Sequence, residues 1–128
     1  LLAQSDYISI HCPLTQETHH LFDRQIFEQM KPTVIFINTA RGAIVKEEDM
    51  VAFLREHEFA MAGIDVTETE PVPTDHPLLK LNNAVVTPHV AWYSVESVLS
   101  LQRKVAEEVA GVLSGQPPRH PVNHPVSK

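Results

Sequence analysis

The sequence contains one cysteine and no long apolar segment, and these two shortages limit the environments in which the protein can work. Because Cys12 has no second cysteine to pair with, an internal disulfide is excluded, and a reducing compartment, the cytoplasm, is expected. No apolar run approaches the roughly 20 residues that cross a bilayer, so we expect no membrane partner. Ten Lys and Arg against sixteen Asp and Glu, without a basic run, argue against direct nucleic acid binding.

Metal-binding patterns are also missing. The eight histidines form no His-Glu-x-x-His motif and no paired Cys/His spacing, so no metal site is expected. The length of 128 residues, of which 43% are hydrophobic, suits one compact core and is too short for two ordinary domains. The first residue is Leu1, without an initiator methionine, and we expect the sequence to be a piece of a longer protein.

Four short apolar runs are present, and each is followed by polar residues. They cover Tyr7–Ile10, 34–37, 62–64 and Ala84–Val86, and are followed by His11, Asn38 to Arg41, Asp65 and Thr87 to His89. Between them, apolar residues recur at helical spacing at 23–31, with Asp23 as the N-cap, and from Lys46 to about 58. Strands alternating with helices predict a parallel α/β sheet, and the lack of apolar–polar alternation predicts helices over both of its faces.

The rest of the chain is predicted to hold a long loop, one long helix and a tail. Residues 67–83 contain three prolines and no apolar stripe, which predicts a loop without a helix, and a loop of that length suggests function. Ser94 is predicted to cap a helix that closes with Gly115 as the C′ residue. Four prolines in 116–128 predict an extended or disordered tail.

The carboxyl ends of parallel strands meet at one edge of a sheet, where open α/β sheets bind ligands. Arg41 follows the second strand, and its planar guanidinium can grip a carboxylate or a carbonyl oxygen at two points. The alternative for Arg41 is a surface arginine in a turn, and Gly42 would let the backbone turn sharply there. His89 follows the fourth strand, and an imidazole is an effective proton donor or acceptor near neutral pH. Together these residues predict the catalytic site of an enzyme.

Three further side chains are open to two interpretations each. A carboxylate in the loop before the fourth strand could hydrogen-bond His89, and spacing alone does not decide between Glu68 and Glu70. Asp65 could accept a hydrogen bond from a ligand or cap the turn after its strand. Trp92 could wall a substrate pocket or fasten the long helix to the sheet.

Four ordered segments of the sequence resemble the signatures of the D-isomer-specific 2-hydroxyacid dehydrogenases. They run from Ser5-Asp6-Tyr7 to His11-Cys12-Pro13-Leu14-Thr15, over Ile37-Asn38-Thr39-Ala40-Arg41-Gly42, from Gly63-Ile64-Asp65-Val66 to Glu70-Pro71, and over Thr87-Pro88-His89. The resemblance covers about the first 115 residues. Within this family, three shorter segments resemble the branch that contains the C-terminal binding proteins. These proteins are NAD-binding relatives that serve as transcriptional corepressors in animals. The segments are His11-Cys12, His19-His20-Leu21 and His89-Val90-Ala91-Trp92-Tyr93-Ser94.

The resemblance implies a fold and a reaction. The parts would be 1–93, the second half of a Rossmann-type NAD-binding domain; 94–115, a long helix returning towards a substrate domain absent from this sequence; and 116–128, the tail. Arg41 would bind the carboxylate and carbonyl of a 2-oxo acid, and His89 would protonate the carbonyl oxygen as NADH delivers a hydride. Glu70, the glutamate immediately before a proline, would orient His89 and favour its charged form. The complete protein would be a homodimer.

The resemblance also assigns residues to cofactor and substrate. The adenosine side of NAD would be bordered by Cys12, Pro13, Thr15 and Thr18, and the other cofactor contacts would be Asn38, Thr39, Ala40, Arg41, Asp65 and His89. Substrate would be contacted by Arg41 and Trp92. The Gly-x-Gly-x-x-Gly turn that holds the pyrophosphate in such domains does not occur among the four glycines of the sequence. The segment alone is therefore expected to bind NAD weakly and to be inactive.

Two functions follow, an NAD-dependent oxidoreductase of small D-2-hydroxy acids and, as the alternative, a nucleotide-sensing binding module that retains a dehydrogenase site. A hydrolase using His89 and Asp65 is set aside because the sequence has no Gly-x-Ser-x-Gly nucleophile elbow. For the segment expressed alone, an exposed apolar strand edge predicts marginal stability or self-association.

Overall fold

The computed structural model describes residues 1–123, which form four strands and three α-helices. The elements are β1 (Tyr7–Ile10), α1 (Arg24–Phe27), β2 (Ile35–Asn38), α2 (Glu47–Glu56), β3 (Met61–Ile64), β4 (Ala84–Val86) and α3 (Val95–Leu113), with short 3₁₀ helices at Leu2–Gln4, Gly42–Ile44 and Pro77–Lys80. The chain divides into two compact units, Leu1–Ala91 and a second that begins at Trp92. The predicted division into 1–93, 94–115 and 116–128, as parts of a longer protein, stays a prediction.

The four strands form one parallel sheet in the order β1-β2-β3-β4. The register places Ile8, Phe36 and Ala62 side by side, and all three side chains are buried. The predicted parallel α/β architecture is thereby confirmed. The prediction of helices over both faces is wrong for the first unit, since large apolar side chains stay exposed on the second face. They are Tyr7, Met61 and Val85, at 70%, 47% and 60% exposure.

The crossover helices cover the buried face of the sheet. Asp23 caps α1 as predicted, because its Oδ1 accepts a hydrogen bond of 3.1 Å from the Ile26 backbone N–H. Phe27 of α1 contacts Phe36 of β2 edge to face, with ring centroids 5.2 Å apart, and stacks on Phe53 of α2 at 5.4 Å. These rings join both helices and the sheet in one apolar core.

The connection from β3 to β4 differs from the prediction of a loop without a helix. The 3₁₀ helix Pro77–Lys80 lies within it and buries Leu78 completely. Proline at the first helical position and the His76 side chain, which accepts from the Leu78 N–H, start this turn. A single turn with one buried side chain has no periodic stripe, so the helical pattern does not reveal it.

The second unit begins at Trp92 and contains α3 and the residues that follow it. Ser94 and Ser97 form a capping box at its start, and Gly115 adopts φ +82° after its end, as the sequence predicts. The tail through residue 123 contains no helix or strand, but it is not simply extended. The Arg119 N–H donates to Glu108 of α3 at 2.6 Å, which turns the chain back. Residues 124–128 of the predicted tail lie outside the described residues. No helix within 1–123 is long and apolar enough to cross a membrane.

Candidate functional site

The backbone connects the ends of β2, β3 and β4 beyond the last strand residues. The Asp65 N–H donates to the Asn38 carbonyl at 2.9 Å, and the Thr87 N–H donates to the Ile64 carbonyl at 2.9 Å. The His89 N–H in turn donates to the Asp65 carbonyl at 2.8 Å. The polar residues that follow these strands therefore lie at one edge of the sheet, as their positions in the sequence predict.

The turn that carries Arg41 is held by the side chain of Asn38. Its Nδ2 donates to the Arg41 carbonyl and its Oδ1 accepts from the Ala40 N–H, both at 3.0 Å. Asn38 is only 1% exposed, so its amide is used within the protein to shape the turn. The predicted contact of Asn38 with a cofactor stays a prediction. Arg41 itself is exposed, and its Nη1 donates to the Ala40 carbonyl at 2.6 Å.

Gly42 is required for a different reason from the one expected. A Cβ at this position would lie 2.1 Å from the carbonyl carbon of Thr67 and 2.5 Å from the Glu68 nitrogen. The backbone of the 67–68 segment thus packs directly on the residue after Arg41. The glycine allows this close approach between two segments, and no positive φ is involved.

An open cleft of about 590 Å³ lies at the ends of β1 and β2. Its lining includes His11, Cys12, Pro13, Thr39, Ala40 and Arg41. Five of these, all but His11, are residues assigned in advance to cofactor or substrate. Thr15 and Thr18 are not among the lining residues. Instead, Thr18 Oγ1 donates to the Pro13 carbonyl and accepts from the Thr15 N–H, both at 2.7 Å, which fixes the turn after Pro13.

The chemistry of this cleft fits part of a dinucleotide. The apolar surfaces of Pro13 and Ala40 can pack against a ring, while the Thr39 hydroxyl and the Arg41 guanidinium offer hydrogen bonds. The glycine-rich turn for the pyrophosphate does not occur in this sequence, so these residues form only one side of such a site.

His89 adopts a left-handed backbone conformation with φ +55°, which costs a non-glycine residue about 1–2 kcal/mol. Asp65 compensates for this strain. Its carboxylate accepts from the Thr87 hydroxyl at 2.5 Å and from the Val90 and Ala91 N–H groups at 2.9 Å each. Burial opposes the ionisation of Asp65, but these three hydrogen bonds outweigh it and lower the pKa of the carboxyl group. The geometry favours the turn-capping interpretation of Asp65, and its contact with the nicotinamide stays a prediction.

Glu70 is the carboxylate that pairs with His89. Its Oε2 lies 2.8 Å from His89 Nδ1, and its Oε1 accepts from the Thr67 N–H at 3.2 Å. The hydrogen bond to His89 lowers the pKa of Glu70 below its ordinary value, so the side chain is a carboxylate at neutral pH. Glu68 makes different contacts, with the Glu47 N–H and with His20. The choice that spacing left open therefore falls on Glu70.

The candidate residues do not all share one cavity. Arg41 lines the large cleft, whereas His89 and Glu70 line a separate cavity of about 160 Å³. Arg41 follows β2 and His89 follows β4, and β3 separates these two strands in the sheet. Trp92 belongs to the second unit, where its ring contacts Tyr93 edge to face at 5.5 Å. Its contact with substrate stays a prediction.

Two threonines that support the site were assigned no role from the sequence. The backbone N–H of Thr67 donates to Glu70, and the hydroxyl of Thr87 donates to Asp65. A backbone donor has no sequence signature, and a threonine after a strand is common. Within residues 1–123, no three His, Cys, Asp or Glu side chains are grouped so that they could hold a metal ion.

The family described as "D-isomer specific 2-hydroxyacid dehydrogenase, NAD binding domain" matches residues 1–91. A glyoxylate reductase from Korarchaeum cryptofilum is 42% identical over 128 residues, which are 100% of this chain and 39% of that protein. The chain thus spans about two fifths of the length of that relative.

Solved structures agree with this match. The TT0316 protein from Thermus thermophilus superposes with a TM-score of 0.89 at 42% identity, over 95% of this chain and 39% of the other. The D-lactate dehydrogenase with NAD+ from Lactobacillus jensenii gives a TM-score of 0.85 at 28% identity, over 96% and 41% of the two chains.

Proposed function

Because this chain belongs to the D-isomer specific 2-hydroxyacid dehydrogenase family, as part of its NAD-binding domain, we propose that the complete protein interconverts a small 2-oxo acid and its D-2-hydroxy acid. The observation that carries the proposal is the contact of 2.8 Å between His89 Nδ1 and Glu70 Oε2 at the carboxyl edge of the sheet. A carboxylate on one ring nitrogen fixes the tautomer and the orientation of an imidazole that exchanges a proton through the other.

His89 is the acid and base of the proposed reaction. With Nδ1 facing Glu70, proton exchange with the substrate oxygen uses Nε2. The Thr67 N–H also donates to Glu70, which helps to hold the carboxylate beside the imidazole. The turn fixed by Asp65 holds the backbone of His89 in place. The strained conformation of His89 supports this role, since such strain concentrates at functional sites.

Arg41 binds the substrate in this proposal. Its guanidinium offers parallel donors to the carboxylate and the carbonyl oxygen of a 2-oxo acid, and it carries a fixed positive charge. When bound, NADH supplies the hydride. Thr39 and Ala40, together with Cys12 and Pro13, border the cofactor along the cleft. Asn38 acts here through the turn that it shapes, by fixing the direction of Arg41.

The relative named above, a glyoxylate reductase, favours a small 2-oxo acid as the substrate class. The glyoxylate reductase and the D-lactate dehydrogenase named above are not corepressors by name, so the finer resemblance to the corepressor branch stays a prediction. A nucleotide-sensing module therefore stays the second candidate, and the experiment below separates the two. We also propose, from the family resemblance, that the complete protein is a homodimer and that the 128-residue segment alone is inactive. A cytoplasmic location stays a prediction from the single cysteine.

The test is NADH oxidation by the complete protein with glyoxylate, hydroxypyruvate and pyruvate as substrates. His89→Ala is expected to lower kcat by roughly 100-fold to 10,000-fold, because the general acid is lost. Arg41→Lys keeps the charge but loses the planar fork, so it is expected to raise KM for the 2-oxo acid. NADH binding, measured by fluorescence, is expected to persist in both variants.

The matched control is His120→Ala, which removes an exposed histidine of the second unit and is expected to leave kcat and KM unchanged. Wild-type protein that binds NADH tightly but reduces none of the 2-oxo acids would contradict the dehydrogenase proposal and favour the nucleotide-sensing module.

A further inference from the structure

A second group of ionisable side chains lies next to the loop that carries Glu70, and its centre is a reciprocal pair. The Oε1 atom of Glu47, at the start of α2, accepts from the Glu68 N–H at 2.6 Å. The Oε1 atom of Glu68 accepts from the Glu47 N–H at 2.9 Å. Each glutamate therefore uses one carboxylate oxygen to hold the backbone of the other. We call this pair the Glu47–Glu68 brace.

Two histidines occupy the remaining oxygens of the brace. His76 Nε2 lies 3.1 Å from Glu47 Oε2, and His76 Nδ1 accepts from the Leu78 N–H at 3.3 Å. One neutral tautomer, with the proton on Nε2, satisfies both contacts. His20 Nε2 lies 3.2 Å from Glu68 Oε2. The brace thus joins the start of α2 to two points of the connection between β3 and β4.

Glu47 is buried, with 8% of its surface exposed. Burial raises the pKa of its carboxyl group, against the effect of the hydrogen bond from Glu68 and the proximity of His76. A buried acidic group is expensive unless its oxygens have donors, and here both of them do. Glu47 and the connection between β3 and β4, which carries Glu68 and His76, therefore hold each other in place.

The brace connects to the proposed acid/base pair through a short series of contacts. Glu68 is held by Glu47, and its neighbour Thr67 packs against Gly42. The Thr67 N–H then donates to Glu70 Oε1, and Glu70 Oε2 contacts His89. The same segment thereby touches the turn of Arg41 on one side and orients the partner of His89 on the other.

We propose that Glu47 and Glu68 are positioning residues for the site, holding the 67–70 segment so that the Glu70 carboxylate stays on His89 Nδ1. The proposal rests on the proposed function only for its effect on turnover. Its structural part, the control of the Glu70–His89 contact by residues that do not touch it, is independent of what the site catalyses. Without the Glu68 carboxylate, the 67–70 segment loses one of the two hydrogen bonds that join it to the start of α2, and a displacement of about 1 Å is enough to impair a catalytic contact.

The experiment uses the complete protein with ¹⁵N-labelled histidine, and the central variant is Glu68→Ala. The Nδ1 resonance of His89, assigned with His89→Ala, is expected to move towards its position in Glu70→Gln. Turnover with NADH and glyoxylate is expected to fall about tenfold in kcat, with KM for NADH within about twofold of the wild-type value. Glu68→Gln retains an oxygen that accepts from the Glu47 N–H, and is expected to restore both values.

Glu48→Ala is the matched control, because Glu48 is also in the first turn of α2 but is 74% exposed at its side chain and pairs with Lys46. If Glu68→Ala does not fold, Glu68→Asp is used instead, because it keeps the charge but shortens the side chain by one methylene and so weakens the contact with the Glu47 N–H. An unchanged His89 resonance in the variant that folds would overturn the proposal, even if activity fell. A shifted resonance in a protein whose wild type reduces no 2-oxo acid would support the brace and reject the dehydrogenase function.

Discussion

Asp65 shows how one side chain can determine the conformation of its neighbours. It is 4% exposed, and its carboxylate accepts three hydrogen bonds from the turn at 87–91. Its backbone carbonyl accepts a fourth, from the His89 N–H. Removing the carboxylate would leave the Val90 and Ala91 N–H groups without this acceptor, while the unfavourable φ of His89 would remain.

Asp65→Ala is therefore expected to lower the free energy of unfolding by about 2 kcal/mol at pH 7. The folded-state pKa of Asp65 is lowered, so its contribution is present above the ordinary value of 3.8 and is lost as pH falls through the folded-state pKa. The difference between wild type and variant should accordingly shrink under acidic conditions. Urea denaturation of the complete protein at pH 7 and pH 3 measures this.

The control for this measurement is Asp75→Ala, an aspartate exposed in the same connection between β3 and β4. It is expected to change the unfolding free energy by less than about 0.5 kcal/mol. An Asp65→Ala effect as small as that of Asp75→Ala would mean that the hydrogen bonds of Asp65 are not what holds the turn.

For single residues, the sequence predicts which side chains lie at the sheet edge better than it predicts which partners they contact. The location of Arg41 and His89 at one edge of the sheet was predictable, because each follows an apolar strand and the carboxyl ends of parallel strands converge; their catalytic roles stay predictions. The partner of His89 was not predictable from spacing, since the choice between Glu68 and Glu70 depends on how Glu68 is occupied by α2. The need for glycine at position 42 was not predictable either, because the close contact of Gly42 with Thr67 joins segments that are far apart in the chain.

Among the elements, α1 illustrates structure stabilised almost wholly by tertiary packing. A helix of four residues does not form by itself, because nucleation costs more than one or two hydrogen bonds return. Phe27 compensates for this cost, since it is 1% exposed and its ring contacts Phe36 of β2 and Phe53 of α2. The helix α1 is therefore stabilised mainly by the packing of the Phe27 ring.

Phe27→Ala is expected to lower the free energy of unfolding by about 4 kcal/mol, because it leaves a cavity where three elements meet. Thermal or urea denaturation followed by circular dichroism measures the loss. Phe59→Ala is the matched control, since Phe59 is 72% exposed in the same unit and its removal should cost little. Equal effects of the two substitutions would show that the aromatic cluster does not stabilise the unit.

The predictability of an element followed its length and its regularity. The four strands are mainly apolar runs, the two longer helices carry apolar residues at helical spacing, and Asp23 and Ser94 mark helix starts by their capping chemistry. The 3₁₀ turns at Gly42–Ile44 and Pro77–Lys80 are too short for any period to show. The uncovered face of the sheet was missed because isoleucine, methionine and valine there give the same apolar runs that a buried face gives.

The sheet of the first unit presents two very different surfaces. One face packs on α1 and α2, whereas the other exposes Tyr7 on β1, Met61 on β3 and Val85 on β4. Strands β1 and β4 are also the edges of the sheet among the described residues, so their outer backbone groups are open to pairing with another strand. Exposed apolar surface of this kind favours association.

The 128-residue chain expressed alone is therefore expected to self-associate, as measured by size-exclusion chromatography with light scattering at several concentrations. Val85→Lys places a charge on an edge strand within the apolar face and is expected to reduce the association. Val122→Lys, at a fully exposed position of the second unit, is expected to have no effect. Helix α3 offers a competing surface, with Val109 53% exposed. If Val109→Lys disperses the assembly and Val85→Lys does not, association proceeds through α3, and the sheet face is not its cause.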